Sequence, residues 1–249
     1  MERSLALMAI GLLMVVPSAA QGDDDFGIWG EVGVEKKLDS RWGVGADVEF
    51  RSCDNLKEAD RWSFGADVNY KITDWLKASA GYTLLDNHCR KLNGSGRKVS
   101  NYWGMSHRFN VSVAGTCSFG DVSLSLRERW QYTYRPEQTA DRYWTYTDEE
   151  EDRYEGEVAD RHTYKGKGRN VWRNRLQLKY KVNKMWRPYL SAESSVANGL
   201  EKIRYSAGTE IRLRKHHWLD VKYLFQKSYG DDDDEGNRHV ISFGYTYKF

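Results

Sequence analysis

Arg127 and Arg129 stand two residues apart, and so do Arg173 and Arg175, as do Asp47, Glu49 and Arg51 in turn. A spacing of two places side chains on one face of an extended strand. Repeated rows of guanidinium and carboxylate groups on such a face can do electrostatic work. They can guide a charged solute through a wet passage, or they can neutralise one another inside a closed one.

Covalent catalysis needs more than charge: a nucleophile, a base within reach and a group that orients the base. The 6 histidines do not gather in the sequence. His88 and His162 fall in polar connections, His107 near a strand end, His216 and His217 in a turn, and His239 at a strand start. No Gly-x-Ser-x-Gly occurs, and "NGSGR" has turn composition. No catalytic, cofactor-binding or metal-ligating set is assigned. The acidic runs "DEEED" (Asp148 to Asp152) and "DDDDE" (Asp231 to Glu235) lack the ordered spacing and glycine of a calcium loop and read as solvated loops. Cys53, Cys89 and Cys117 are an odd set. A Cys53–Cys89 bridge is open, in a compartment that permits disulfides.

The elements that carry the charge rows are short and alternating. Trp42, Val44, Ala46, Val48 and Phe50 share one face, with Gly43, Gly45, Asp47, Glu49 and Arg51 on the other. Eleven such segments of roughly 9–13 residues follow one another, the first from Phe26 to Lys37, and that length lets a tilted strand cross a bilayer. Four compact turns are followed at once by tryptophan: "KLDSRW" at Trp42, "KITDW" at Trp75, "KVNKMW" at Trp186 and "RKHHW" at Trp218. An indole has an apolar body and one N–H that wants water, so a ring of them beside turns suits a membrane interface better than a soluble core. These four are the expected interfacial belt.

With that parity the inward face carries Arg51, Arg61, Lys71, Arg108, Arg127, Arg129, Arg173, Arg175, Arg204 and Arg212, answered by Asp47, Glu49 and Glu210 among the acids. Cations lead there, although the whole chain is nearly balanced, with 38 Lys and Arg against 36 Asp and Glu. A soluble β-sandwich or lipocalin-like barrel would alternate too, but would not put arginine or lysine on the polar face of nearly every segment.

Met1 to Ala20 has a positive residue, an apolar stretch and small residues near its end, and reads as a cleaved signal peptide. Residues 21–249 then form one domain. The expected fold is all-β, an antiparallel up-and-down transmembrane β-barrel of 10–12 strands. Short turns follow Leu38, Ile72, Phe119, Val182 and Arg214. Long connections run over 53–60, 86–101, 135–169, 197–201 and 229–237. In such barrels short turns face the periplasm and long loops the outside, which makes 135–169 a long external loop. Eleven segments are at odds with the even strand number usual in bacterial barrels.

The grammar of "IWGEVGVEKKLDSRWGVGADVEFR", "WLKASAGYTLL", "RFNVSVAGTCSFGDVSLSLRERWQYTY", "RNRLQLKYKV", "RPYLSAE" and "HHWLDVKYLFQ" before "HVISFGYTYKF" resembles domain-of-unknown-function family 2490, uncharacterised barrels of the Gram-negative outer membrane. The resemblance implies the outer membrane as location after export through the inner one. It also implies the lipid bilayer and its lipopolysaccharide as surroundings, and the barrel-assembly machinery as a partner reading Tyr247 and Phe249 on the last strand. No nucleic acid is expected, and the barrel is expected to be a monomer. The expected function is a small porin-like channel with a positive lumen for anionic or small polar solutes. A plugged structural barrel with external binding loops is the alternative, and a membrane-embedded hydrolase a further one.

Overall fold

The alternating segments become strands whose apolar sides all face outward in the computed structural model, which describes residues 24–149, 151, 153–229 and 237–249. Among these described residues thirteen strands are formed: β1 (Asp25–Lys37), β2 (Trp42–Cys53), β3 (Glu58–Lys71), β4 (Leu76–Leu92), β5 (Lys98–Phe119), β6 (Val122–Arg135), β7 (Gln138–Trp144), β8 (Val158–Tyr164), β9 (Lys167–Tyr180), β10 (Trp186–Val196), β11 (Leu200–Arg212), β12 (His217–Ser228) and β13 (Arg238–Lys248). Eleven close into a barrel in the order β1-β2-β3-β4-β5-β6-β9-β10-β11-β12-β13, and β7 and β8 form a hairpin outside the ring. The signal-peptide segment and the run Asp231 to Glu235 lie outside the described residues.

Ten neighbouring pairs of the ring are antiparallel. The eleventh closes it with β1 parallel to β13, from Asp25 beside Arg238 to Glu35 beside Lys248. An odd strand count makes this unavoidable, because first and last strands then run the same way. The up-and-down barrel thus holds with eleven strands and one parallel seam. Asp24 stands at one end of the barrel and Phe249 at the other.

The short-turn end is built by side chains that cap the backbone. The Asp39 carboxylate accepts the Arg41 and Trp42 N–H groups at 2.6 and 2.7 Å, and Asn183 does the same for Met185 and Trp186 at 2.7 and 2.8 Å. These Asx-turn bonds start each strand on its tryptophan. Trp42, Trp75 and Trp186 point outward and are exposed, as the interfacial belt requires. Trp218 departs from that expectation. β12 begins one residue earlier, at His217, so Trp218 shares the inner face with Asp220 and Lys222. Its ring lies under the Arg187 and Arg212 guanidinium groups at 4.8 and 5.7 Å and the Lys248 ammonium at 5.5 Å. His217 holds the outer position, hydrogen-bonded to the Tyr245 hydroxyl at 2.7 Å.

At the other end the connections are largely strand. β4 and β5 run to 17 and 22 residues and continue pairing to Leu92 and Val99. The expected loop 135–169 is mostly the β7–β8 hairpin, attached to β5 where Lys98 meets Trp144 and Val99 meets Tyr143. Its lock is Asp160, which accepts from the Arg142 guanidinium at 2.7 Å and the Lys98 ammonium at 2.8 Å. These two bonds hold the Asp160 carboxyl at about 2, below its ordinary 3.8. A lowered carboxyl pKa stabilises docking above pH 4, and the contribution disappears as pH falls toward 2. Asp160→Asn is therefore expected to speed proteinase K cleavage of the hairpin on whole cells at neutral pH. The ratio of variant to wild-type rates, taken with an acid protease, should fall to one near pH 2. A ratio that stays constant with pH would remove Asp160 from this role.

Candidate functional site

The lumen is the site, and strand register builds it. Arg127, Arg175, Glu193 and Arg204 lie in one row across β6, β9, β10 and β11. Adjacent strands are about 4.8 Å apart, so like charges in a row repel unless a carboxylate intervenes. Glu193 is that carboxylate. It is 7% exposed and receives Arg127 at 2.7 Å, the Arg173 Nε at 3.1 Å and Arg204 at 3.6 Å. Arg173 also donates to Gln131, and Arg204 to Gln226 at 2.8 Å.

Beside this hub Trp29 projects inward from β1 and is 5% exposed. The Arg51 guanidinium lies 3.8 Å from its ring centroid and that of Arg204 5.4 Å. A flat cation over an indole is attracted by the ring quadrupole and packs without a counter-ion. Arg51 forks onto Glu49 at 2.8 and 3.0 Å. Arg61 donates to Asn87 at 2.7 Å and Arg108 to Thr133 at 3.3 Å, both neutral acceptors. Among the described residues the Nε atoms of Arg127 and Arg129 are buried without a hydrogen-bond partner. Around the hub, cations therefore exceed carboxylates.

The β1–β3 wall is acidic. Glu31 is paired in register with Glu49, and Asp47 and Asp67 lie beside them. Two glycines let these chains lie flat: a Cβ on Gly45 would stand 2.6 Å from the Asp67 carboxylate, and one on Gly65 would overlap that of Asp47. Neither Asp47 nor Asp67 has an ion pair within 4.0 Å among the described residues, and the cation whose field reaches both is Arg129 on β6. Toward the short-turn end Glu210 pairs with Lys179, Asp220 with Lys222 at 3.4 Å, and the Tyr189 hydroxyl donates to Asp220 at 2.8 Å.

The structure thus draws Arg51, Arg61, Arg108, Arg127, Arg129, Arg173, Arg175, Arg204, Asp47, Glu49 and Glu210 to the inner face. Two named residues sit at the rim instead. Lys71 binds Asp74 in the turn after β3, and Arg212 reaches the Lys215 carbonyl at 3.4 Å and covers Trp218. The alternation signal placed both on the polar face, but each is too close to a strand end to reach the middle. Trp29 was missed. Its parity with Glu31 and Glu35 was readable, yet a tryptophan on the polar face looks like an interface residue until register sets it between two arginines.

Several histidines bind locally. His107 meets the Tyr82 hydroxyl at 2.8 Å and His239 that of Tyr223 at 2.6 Å, both on the outer face. No group of three His, Cys, Asp or Glu side chains that could hold a metal occurs among the described residues. The three cysteines are free thiols. Cys53 on β2 and Cys89 on β4 have β3 between them. Two inter-strand steps of about 4.8 Å exceed the ~7 Å Cα limit for a bridge.

The family described as "Protein of unknown function (DUF2490)" matches residues 26–237. Solved barrels share the fold. The translocator domain of the autotransporter NalP from Neisseria meningitidis aligns with TM-score 0.56 at 13% identity over 91% of each chain. The beta domain of the Bordetella autotransporter BrkA aligns with TM-score 0.53 at 14% identity over 84% of this chain and 83% of that one. The NanC porin aligns with TM-score 0.50 at 11% identity over 90% and 98%. These three are outer-membrane β-barrels. No curated protein matches the sequence.

Proposed function

The chain belongs to this family of unknown function, DUF2490, and on that footing we propose that it is a narrow outer-membrane channel whose lumen favours anions. The observation that carries the reading is the surplus of guanidinium groups around Glu193, with the buried Nε atoms of Arg127 and Arg129 lacking an acceptor among the described residues. A donor in a confined polar space that the protein leaves unanswered is open to an anion or to water. The acids of β1–β3 remain apart from Arg129 instead of collapsing onto it, which favours water between the walls. The likeness to a porin agrees with the reading. In this arrangement the short turns face the periplasm, the β7–β8 hairpin faces outside among lipopolysaccharide, and the leader Met1 to Ala20 is removed during export.

The test is conductance. Purified protein in planar bilayers should pass current and prefer anions in a salt gradient. Changing Arg127, Arg129, Arg173 and Arg175 together to Ser should move the reversal potential toward cation preference. The difference should shrink in 1 M salt, where the Debye length is about 3 Å. Silence of the wild-type protein would overturn the channel reading. It would favour a second one, a barrel plugged by its own ion pairs, for which the low exposure of Trp29 and Glu193 speaks.

A further inference from the structure

The outer surface of the β6–β9 pair breaks the apolar belt. Leu126 faces Leu176 across this pair and Trp130 faces Trp172, but between those rows Glu128 faces Asn174. Glu128 is exposed on the same side as Leu126, and among the described residues its carboxylate has neither an ion pair nor a hydrogen bond. It is six residues from the short-turn end of β6, between leucine and tryptophan, so it lies within the hydrocarbon span and not at a rim. Its neighbour in register on β5 is Val113, an exposed apolar side chain, and the same ladder continues to Ala78 on β4.

A carboxylate facing acyl chains is costly and calls for a donor. The carboxamide beside it supplies one, but to a second molecule. A two-fold axis along the membrane normal through this seam sets β6 of one copy against β9 of the other. Each Glu128 then meets an Asn174 amide and each Trp130 a Trp172. The patch is complementary to itself, which is the requirement of an isologous dimer, and polar contacts of this kind join segments in membranes. We propose that the β6–β9 seam is the face on which two copies of this chain pair in the bilayer, with Glu128 and Asn174 as reciprocal acceptor and donor. This departs from the monomer expected from the sequence and does not depend on whether the lumen conducts.

The experiment uses a full chain with Cys53, Cys89 and Cys117 changed to Ser. A chain carrying only Glu128→Cys, co-expressed with a chain carrying only Asn174→Cys so that no bridge can close within one barrel, should give a disulfide-linked dimer of the two in outer-membrane vesicles, and the unmodified chain should have a two-chain mass in mild detergent. Glu128→Leu with Asn174→Leu should give single chains that still fold, as shown by unchanged heat-dependent mobility. The proposal is overturned by a single-chain mass with no linked dimer in a folded barrel, by linkage to a different membrane protein, or by a dimer that survives the leucine substitutions.

Discussion

Replacing Glu193 with alanine is expected to lower barrel stability by about 3–5 kcal/mol, the range seen when one partner of a buried ion pair is removed. Three guanidinium groups, from Arg127, Arg173 and Arg204, converge on this one carboxylate, which is 7% exposed. Without it they face one another and the nearby Arg51, all of them tethered to the wall. Glu193→Gln should fall between, since the amide oxygen can still accept a hydrogen bond but no longer offsets charge. The measurement is a urea unfolding midpoint in micelles or bilayers. A loss under about 1 kcal/mol, the scale of solvent-exposed pairs, would mean that water already screens the arginines. The variant thus measures how wet the constriction is, independently of any current.

Deleting Phe249 is expected to cut assembly in cells many-fold while costing the folded barrel little. Its ring is exposed and touches Tyr247 edge-on at 4.7 Å between centroids, and its N–H donates to the Glu35 carbonyl at 2.9 Å. One hydrogen bond is worth about 1 kcal/mol and one aromatic contact about 0.5–1.5 kcal/mol, so unfolding should shift modestly. An assembly defect far beyond that points to recognition of the last strand by the assembly machinery. Equal losses in cells and in refolding from urea, or normal yield in cells, would remove that role.

The barrel was legible because period-two alternation and tryptophan after a polar turn are local signals. Direction is not local: "FGIWGEVGVEKK" alternates equally well beside β13 in either sense, so the parallel seam could not be read. Trp218 passed for a belt residue because tryptophan after a turn marks only its height along the strand, whereas the outward stripe Leu219, Val221, Tyr223 and Phe225 leaves it on the inner face. The arginine rows were visible as a pattern. Their meeting on Glu193 was not, because Arg127 and Glu193 are 66 residues apart and only register joins them. The polar connections 86–101 and 135–169 read as loops because charge breaks the apolar stripe. Above the membrane a strand needs no such stripe, only a partner.

The parallel seam also bears on how the barrel is made. Each other pair in the ring joins strands that are neighbours in sequence or, for β6 and β9, bracket one hairpin, so each can zip from a turn. β1 and β13 have no turn between them; Phe26 must find His239. Closure entropy rises only logarithmically with the length enclosed, but contacts so distant along the chain form late. The ten antiparallel ladders can therefore exist as a curled, open sheet before the ring shuts. In that intermediate two bare strand edges that run in the same direction are left, and the ring shuts only when the edge beginning at Asp25 lies along the edge beginning at Arg238.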